Sequence, residues 1–248
     1  MQDIYRGNGL PKIEDEPDKP EIPIFKIIFA VIIIFMIVRH FSFDNTVLKN
    51  VDMEPFSEPI QESLEKPMQF KQKIKGGEAI ITPIASYKIY GRVYQHHYRP
   101  MKLYGAAVEP YDVSIGFGDF RHKEVFKVIK VRMAGTISYW SCSGRNWGKI
   151  SSKYFKDKTP THYFTNNHLC PANSKVRRGI SRLRNKDVVY IEGYLIKYKY
   201  YRKDGRVEEG ISSTARNDNE PGYHGDNGNG SCEQIYVTRI VTRHGDYK

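Results

Sequence analysis

Cysteine is scarce, three in 248 residues, and tryptophan scarcer at two. So few cysteines exclude a disulfide-dense scaffold, and no C-x-x-C pair offers the spacing of a zinc or redox site. Long apolar runs are nearly absent as well, with a single one near the N-terminus, which excludes a polytopic membrane protein. No self-similarity recurs at a period of 20–50 residues, so solenoids and propellers are unsupported. Acidic residues are short in one region only. Residues 75–248 carry 30 Lys+Arg against 16 Asp+Glu, net +14, whereas residues 1–74 carry 9 against 12, net −3. The net charge of +11 therefore belongs to the C-terminal part. What the chain has in quantity is tyrosine and phenylalanine, 18 and 12, enough to build a core and to argue against disorder.

The one apolar run, Ile22 to Val38, reads IPIFKIIFAVIIIFMIV with Lys26 its only charge. At about 1.5 Å per residue it makes about 25 Å of helix against a hydrocarbon core of about 30 Å, and a snorkelling Lys26 with Phe41 and Phe43 would extend it. The segment before it is acidic and no small-x-small site follows it, so an uncleaved anchor is expected rather than a signal peptide. The expected organisation is an acidic tail over 1–21, a transmembrane anchor over 22–41, a Pro/Glu-rich stalk over 44–76 and a basic β-rich domain over 77–248. Arg6, Lys12, Lys19 and Lys26 outnumber Arg39 and Lys49 across the anchor, which places the large domain outside the cytoplasm.

Beyond Gly77 the β-formers cluster at Ala79–Ala85, Tyr87–Tyr94, Val125–Met133, Thr136–Trp140, Val188–Tyr201 and Gln234–Thr242, with a hairpin signal at Lys203-Asp204-Gly205-Arg206. One helix is clear, from Ser174 to Arg184, capped by Asn173 and apolar along Val176, Ile180 and Leu183. The fold class expected is mainly β with one clear α-helix, a partly open barrel or a sandwich, behind an N-terminal transmembrane helix.

Four segments carry chemistry-bearing residues. Tyr87–Tyr104 interleaves tyrosines with Lys and Arg; Tyr94 and Tyr98 there, joined by Arg178 and Arg182, are the residues a nucleic-acid-binding module would use if the domain were cytosolic. The ordinary alternative is a strand with half-buried rings. Lys175, Arg178 and Arg182 form a cationic stripe on the helix, flanked by Arg177 and Arg184, suited to an anionic partner or simply solvated. Tyr163–Ala172 holds Asn167, His168 and Cys170 where a strand is expected to end in a turn. Ser212–Glu233 is a long polar loop with Ser213, Arg216 and Asp218 at its start and Cys232 and Glu233 at its end. A hydrolase, metal-assisted or not, would use His168 with Asp218 and Glu233, which must then share one cleft. Among Cys142, Cys170 and Cys232 one disulfide or none is allowed.

The segments VEPYDVSIGFGD (108–119), TNNHLCPAN (165–173), KDVVYIEGYLI (186–196) and SSTARNDNEPG to GNGSCEQIYV (212–237) resemble a group of bacterial membrane-anchored hypothetical proteins. The resemblance implies a bacterial inner membrane and brings no activity, ligand or cofactor. The function expected is a membrane-anchored binding or accessory protein whose basic domain contacts an envelope or secretion-apparatus protein or another anionic surface, without a cofactor.

Overall fold

The computed structural model describes residues 23–41, 47–134, 137–156, 160–212 and 232–248. It forms two units, Met1–Ser42 and Phe43–Lys248. In the first, helix α1 runs Ile24–Phe41. Its apolar side chains from Ile24 to Val38 are exposed except for the half-buried Ile33. Eighteen residues rise about 27 Å and the uninterrupted apolar stretch Ile27–Val38 about 18 Å. Among the described residues no helix is long and apolar enough to cross a membrane.

The second unit is mainly β. Strands β1 (Ile60–Ser63) and β2 (Phe70–Ile74) pair antiparallel with the 22-residue β3 (Gly77–Tyr98). The segment expected to be a stalk therefore contributes two edge strands. Pro59 and Pro67 precede these strands and interrupt no ladder, as edge strands tolerate. Leu48, also in that segment, is buried, and its N–H donates to Tyr90 Oη at 2.6 Å.

Strand β4 (Tyr111–Gly116) follows. An excursion then carries α2 (Lys123–Val128), the hairpin β5 (Lys130–Ala134) and β6 (Ile137–Ser141), and α3 (Gly144–Tyr154). The β-formers over Val125–Met133, expected as one strand, divide between α2 and β5. The expectation of a single clear helix in the domain is likewise corrected, because α2 and α3 join the later α4.

Strand β7 (Phe164–Pro171) leads into α4 (Ser174–Ser181), then β8 (Val188–Arg202), β9 (Val207–Ile211), β10 (Cys232–Thr242) and β11 (Gly245–Tyr247). Asn173 Oδ1 accepts from the N–H groups of Lys175 and Val176, the expected N-cap. Val176, Ile180 and Leu183 are buried in the main core, as their spacing predicts. Tyr163–Ala172, expected as a strand ending in a turn, is strand through Pro171, because its polar side chains find partners across the sheet.

The pairings close on themselves. β3 pairs with β4 through its C-terminal part and with β8 through the rest, β4 with β7, β7 with β10 and β10 with β8. Only β7–β10 is parallel among these five seams. The ring β3-β4-β7-β10-β8 is a five-stranded barrel, with α4 between its third and fourth strands in chain order. This is the Greek-key order of an OB-type barrel. Inside lie Ile89, Val113, Leu169, Ile191, Ile235 and Val237, with the apolar face of α4. Gly193, at the bulge of the β8–β10 ladder, lets the strands approach so closely that a Cβ there would stand 2.0 Å from Tyr236 O.

Candidate functional site

Barrels of this order commonly bind ligands on the outer face of their second and third strands and on the loops beside it. Here those strands are β4 and β7. Their outward side chains, Asp112, Ser114, Asn166 and His168, are all buried. The 117–163 excursion covers part of that face. Ser138 on β6 stands 2.5 Å hydroxyl to hydroxyl from Ser114, and Gln95 Nε2 donates to Val131 O at 2.9 Å. Phe120, Val125, Ile129 and Ile150 pack there against Tyr94 and Phe164. Tyr94 is thus enclosed between Phe120 and Phe126 and closed to a stacking base, while Tyr98 is exposed.

The rest of the face lies beneath the loop 99–110, whose ends meet where Arg99 N donates to Pro110 O at 2.8 Å. Two carboxylates and two cationic groups collect under it, all buried. Asp112 and His168 stand opposite one another in the β4–β7 register, and His168 Nδ1 contacts Asp112 Oδ1. Asp112 Oδ2 lies 3.6 Å from Arg99 Nε, and Arg99 Nη1 lies 3.6 Å from Glu109 Oε2. Tyr198 Oη reaches the same Glu109 oxygen at 3.5 Å. The loop is tied down at its far side, where Gly105 N donates to Glu208 Oε2 at 2.8 Å. Gly105, at φ +73, passes so near Tyr198 that a Cβ would meet its hydroxyl at 2.6 Å.

Burial pushes the Glu109 carboxyl up to about 7, against the pull of His168 and Arg99. For His168 burial is the largest influence and disfavours the imidazolium. The hydrogen bond and charge of Asp112, with the charge of Glu109, outweigh it and hold the pKa above the usual value. A cavity of about 250 Å³ opens beside these groups, lined by Arg99, Tyr104, Gly105, Glu109, His168, Tyr198, Glu209 and Gln234.

Glu233, named from the sequence as a partner of His168, is turned away from it. It stands opposite Asn167 in the parallel ladder and accepts a hydrogen bond from Thr165, both on the opposite face of β7 from His168. Asn167 points the same way, its Nδ2 donating to Val113 O at 2.9 Å. Ser213, Arg216 and Asp218 lie outside the described residues. The two ends of their loop do meet, since Gln234 N donates to Ser212 Oγ at 3.1 Å. Sequence reasoning missed Asp112, Arg99 and Glu109, whose nearness to His168 depends on a register between residues 56 apart. No group of three or more metal-ligating side chains occurs among the described residues.

All three cysteines are free thiols. A Cys170–Cys232 disulfide is excluded by the ladder, which sets Cys232 opposite Asn166 and Cys170 opposite Tyr236. Four residues of offset separate the two by about 13 Å, beyond the roughly 7 Å that a bridge spans.

α4 presents Lys175, Arg177 and Arg178, and its C-cap Arg182, all exposed. None forms an ion pair with a described acid. Other arginines of the domain are paired, Arg202 with Glu208 at 2.7 Å, Arg239 with Asp246 at 2.8 Å and Arg243 with Asp187 at 3.1 Å.

Compared with known protein families, curated proteins and solved structures, the chain gives no match. The barrel topology by itself carries no activity.

Proposed function

We propose that this is a membrane-anchored accessory protein whose basic β domain docks an acidic protein of a bacterial envelope assembly through α4. The observation that carries the reading is the row of exposed cations at Lys175, Arg177, Arg178 and the C-cap Arg182, none paired with a described acid, on a helix whose other face is locked into the barrel core. Cations held on a rigid element contribute long-range attraction and orientation to an acidic partner. Part of the usual ligand face of the barrel is covered by the 117–163 excursion, whereas α4 offers its cations to solvent.

In this reading α1 sits in the inner membrane and the domain lies outside the cytoplasm. The exposure of its apolar side chains supports insertion, with Lys26 snorkelling and the bilayer thinning locally to match the helix. A reporter fused to the C-terminus tests the orientation, active outside and silent inside. Photo-crosslinking from position 178 in intact cells tests the docking. An adduct with an acidic envelope protein that disappears in Arg182→Glu, but persists in Lys71→Glu on β2, is the expected result. Adducts insensitive to Arg182→Glu would remove the proposal.

A further inference from the structure

Strand β2 pairs with β3 and with no other described strand, so its second edge is open. The β2–β3 hairpin turns on Lys75 and Gly76, with Ile74 opposite Gly77, and residues flanking a two-residue turn exchange hydrogen bonds. Alternation along the ladder then aims the N–H and C=O of Lys71 and Lys73 outward, where no described backbone group takes them up. The side chains alternate as well. Phe70 and Ile74 pack inward on a core around Ile81 and Tyr200, while Lys71 and Lys73 face solvent. Such an edge is a template for one more strand, and its lysines oppose pairing with a second copy of itself.

At Lys73 this edge borders a groove of about 290 Å³, whose other wall is the loop 99–110 with Arg177 of α4. Lys73, Lys75 and Arg177 line it, all three exposed, and no carboxylate does. Glu78, opposite Lys73 in the ladder, is not among its walls. Ile74, Met101 and Val108 give the groove an apolar side. No residue of β4 or β7 lines it, so it is distinct from the usual ligand face of the barrel. Three cations without an opposing acid select an anionic guest, and the bare backbone edge selects an extended chain over a small ion.

We propose that β2 takes up an extended acidic segment of the partner protein as an added strand, its backbone paired with Lys73 and its carboxylates set against Lys73, Lys75 and Arg177. Because the two faces alternate along β2, the segment alternates acidic with apolar residues, the apolar ones meeting Ile74, Met101 and Val108. The added strand deepens the docking at α4 and rests on that reading, since Arg177 belongs to both surfaces.

The test is fluorescence anisotropy on the full-length protein in a nonionic detergent. The probe is a fluorescein-labelled peptide, Glu-Val-Glu-Val-Glu-Val-Glu, with Lys-Val-Lys-Val-Lys-Val-Lys and oligothymidylate as controls. The acidic peptide should bind, about tenfold more weakly in Lys73→Glu and in Arg177→Glu, and unchanged in Lys149→Glu on α3. Its binding should also slow amide hydrogen exchange at Lys73, a mark of strand pairing that needs no variant. Lys73 and Arg177 are exposed, so the circular dichroism of both variants should match the parent. No binding of the acidic peptide, tighter binding of either control, insensitivity to Lys73→Glu, or binding that leaves the Lys73 amide unprotected would each overturn the added strand. Docking at α4 fails separately, through the adduct formed from position 178.

Discussion

His168 Nδ1 meets Asp112 Oδ1 directly across the antiparallel β4–β7 pair, and both side chains are buried on the outer face of the barrel. Residues opposite one another in such a ladder have Cβ atoms about 5 Å apart, so the register alone brings imidazole and carboxylate together. Asp112 also faces Arg99, so it balances two cationic groups at once. Asp112→Asn removes that balance and should destabilise the domain by about 3 kcal/mol, read as a lower urea midpoint with an unchanged slope.

The same cluster sets a pH dependence. Glu109 titrates at about 7 in the fold and at 4.5 when unperturbed, so between these values the folded chain holds a proton that the unfolded chain has released. Stability then falls as pH rises through that window, by about 3 kcal/mol for this group alone. His168, raised above 6.5, contributes stability that is present below 6.5 and lost as pH rises through its folded value. His96 works in the opposite sense. Burial, then the charges of Arg184 and His97, depress it to about 4, so its contribution is lost as pH falls from 6.5 toward 4. Urea midpoints at pH 6.5 and 8 should therefore decline together with rising pH. In Glu109→Gln that decline shrinks to the His168 part, and a rise between pH 4.5 and 6.5 emerges.

Thiol chemistry should separate the cysteines. Cys170 is fully buried, and burial drives its thiol far above the ordinary value, while Cys142 is partly exposed and raised less. A maleimide should label Cys142 in the native protein and reach Cys170 only after denaturation. Native labelling of Cys170 would contradict its position under Gln72.

Gly193→Ala places a methyl group against the Tyr236 carbonyl, a backbone atom that cannot swing aside. The β8–β10 seam must spread to admit it, with a cost of about 3 kcal/mol. Gly205→Ala, in the turn between β8 and β9, is the comparison without a steric clash. No atom lies within 4 Å of a Cβ there, and only its φ of +84 opposes the change, so the loss should be about 1 kcal/mol.

Much of the barrel is legible in the sequence, and the reasons differ by strand. Tyr87–Tyr94, Val188–Tyr201 and Gln234–Thr242 announce themselves because long runs of β-formers cover two faces of a curled sheet. Helix α4 is equally plain, since Asn173 and the 176/180/183 spacing are local signals. β7 is obscured because Thr165, Asn166, Asn167 and His168 are polar and buried at once, a state that their partners on β4 and β10 make tolerable. Helix α2 is too short for its periodicity to compete with the β-branched residues it contains. The candidate cavity is illegible for a related reason. Its walls come from the loop 99–110, β7, β8, β9 and β10, and no single stretch of chain contains enough of them to form a pattern.

The position of β10 in the ring governs how the domain comes into being. β10 supplies both the seam to β7 and the second seam to β8, yet it is synthesised after all four other barrel strands. Until Cys232–Thr242 leaves the ribosome, β7 and the outer edge of β8 present unpaired backbone groups over the buried row from Phe164 to Pro171. Barrel closure therefore joins residues up to 66 apart at the β7 seam and up to 125 apart at the β3–β8 seam, a high contact order that slows folding. A chain of this design spends its translation with open edges that invite aggregation, so a holding chaperone should matter more to its yield than the stability of the finished barrel suggests.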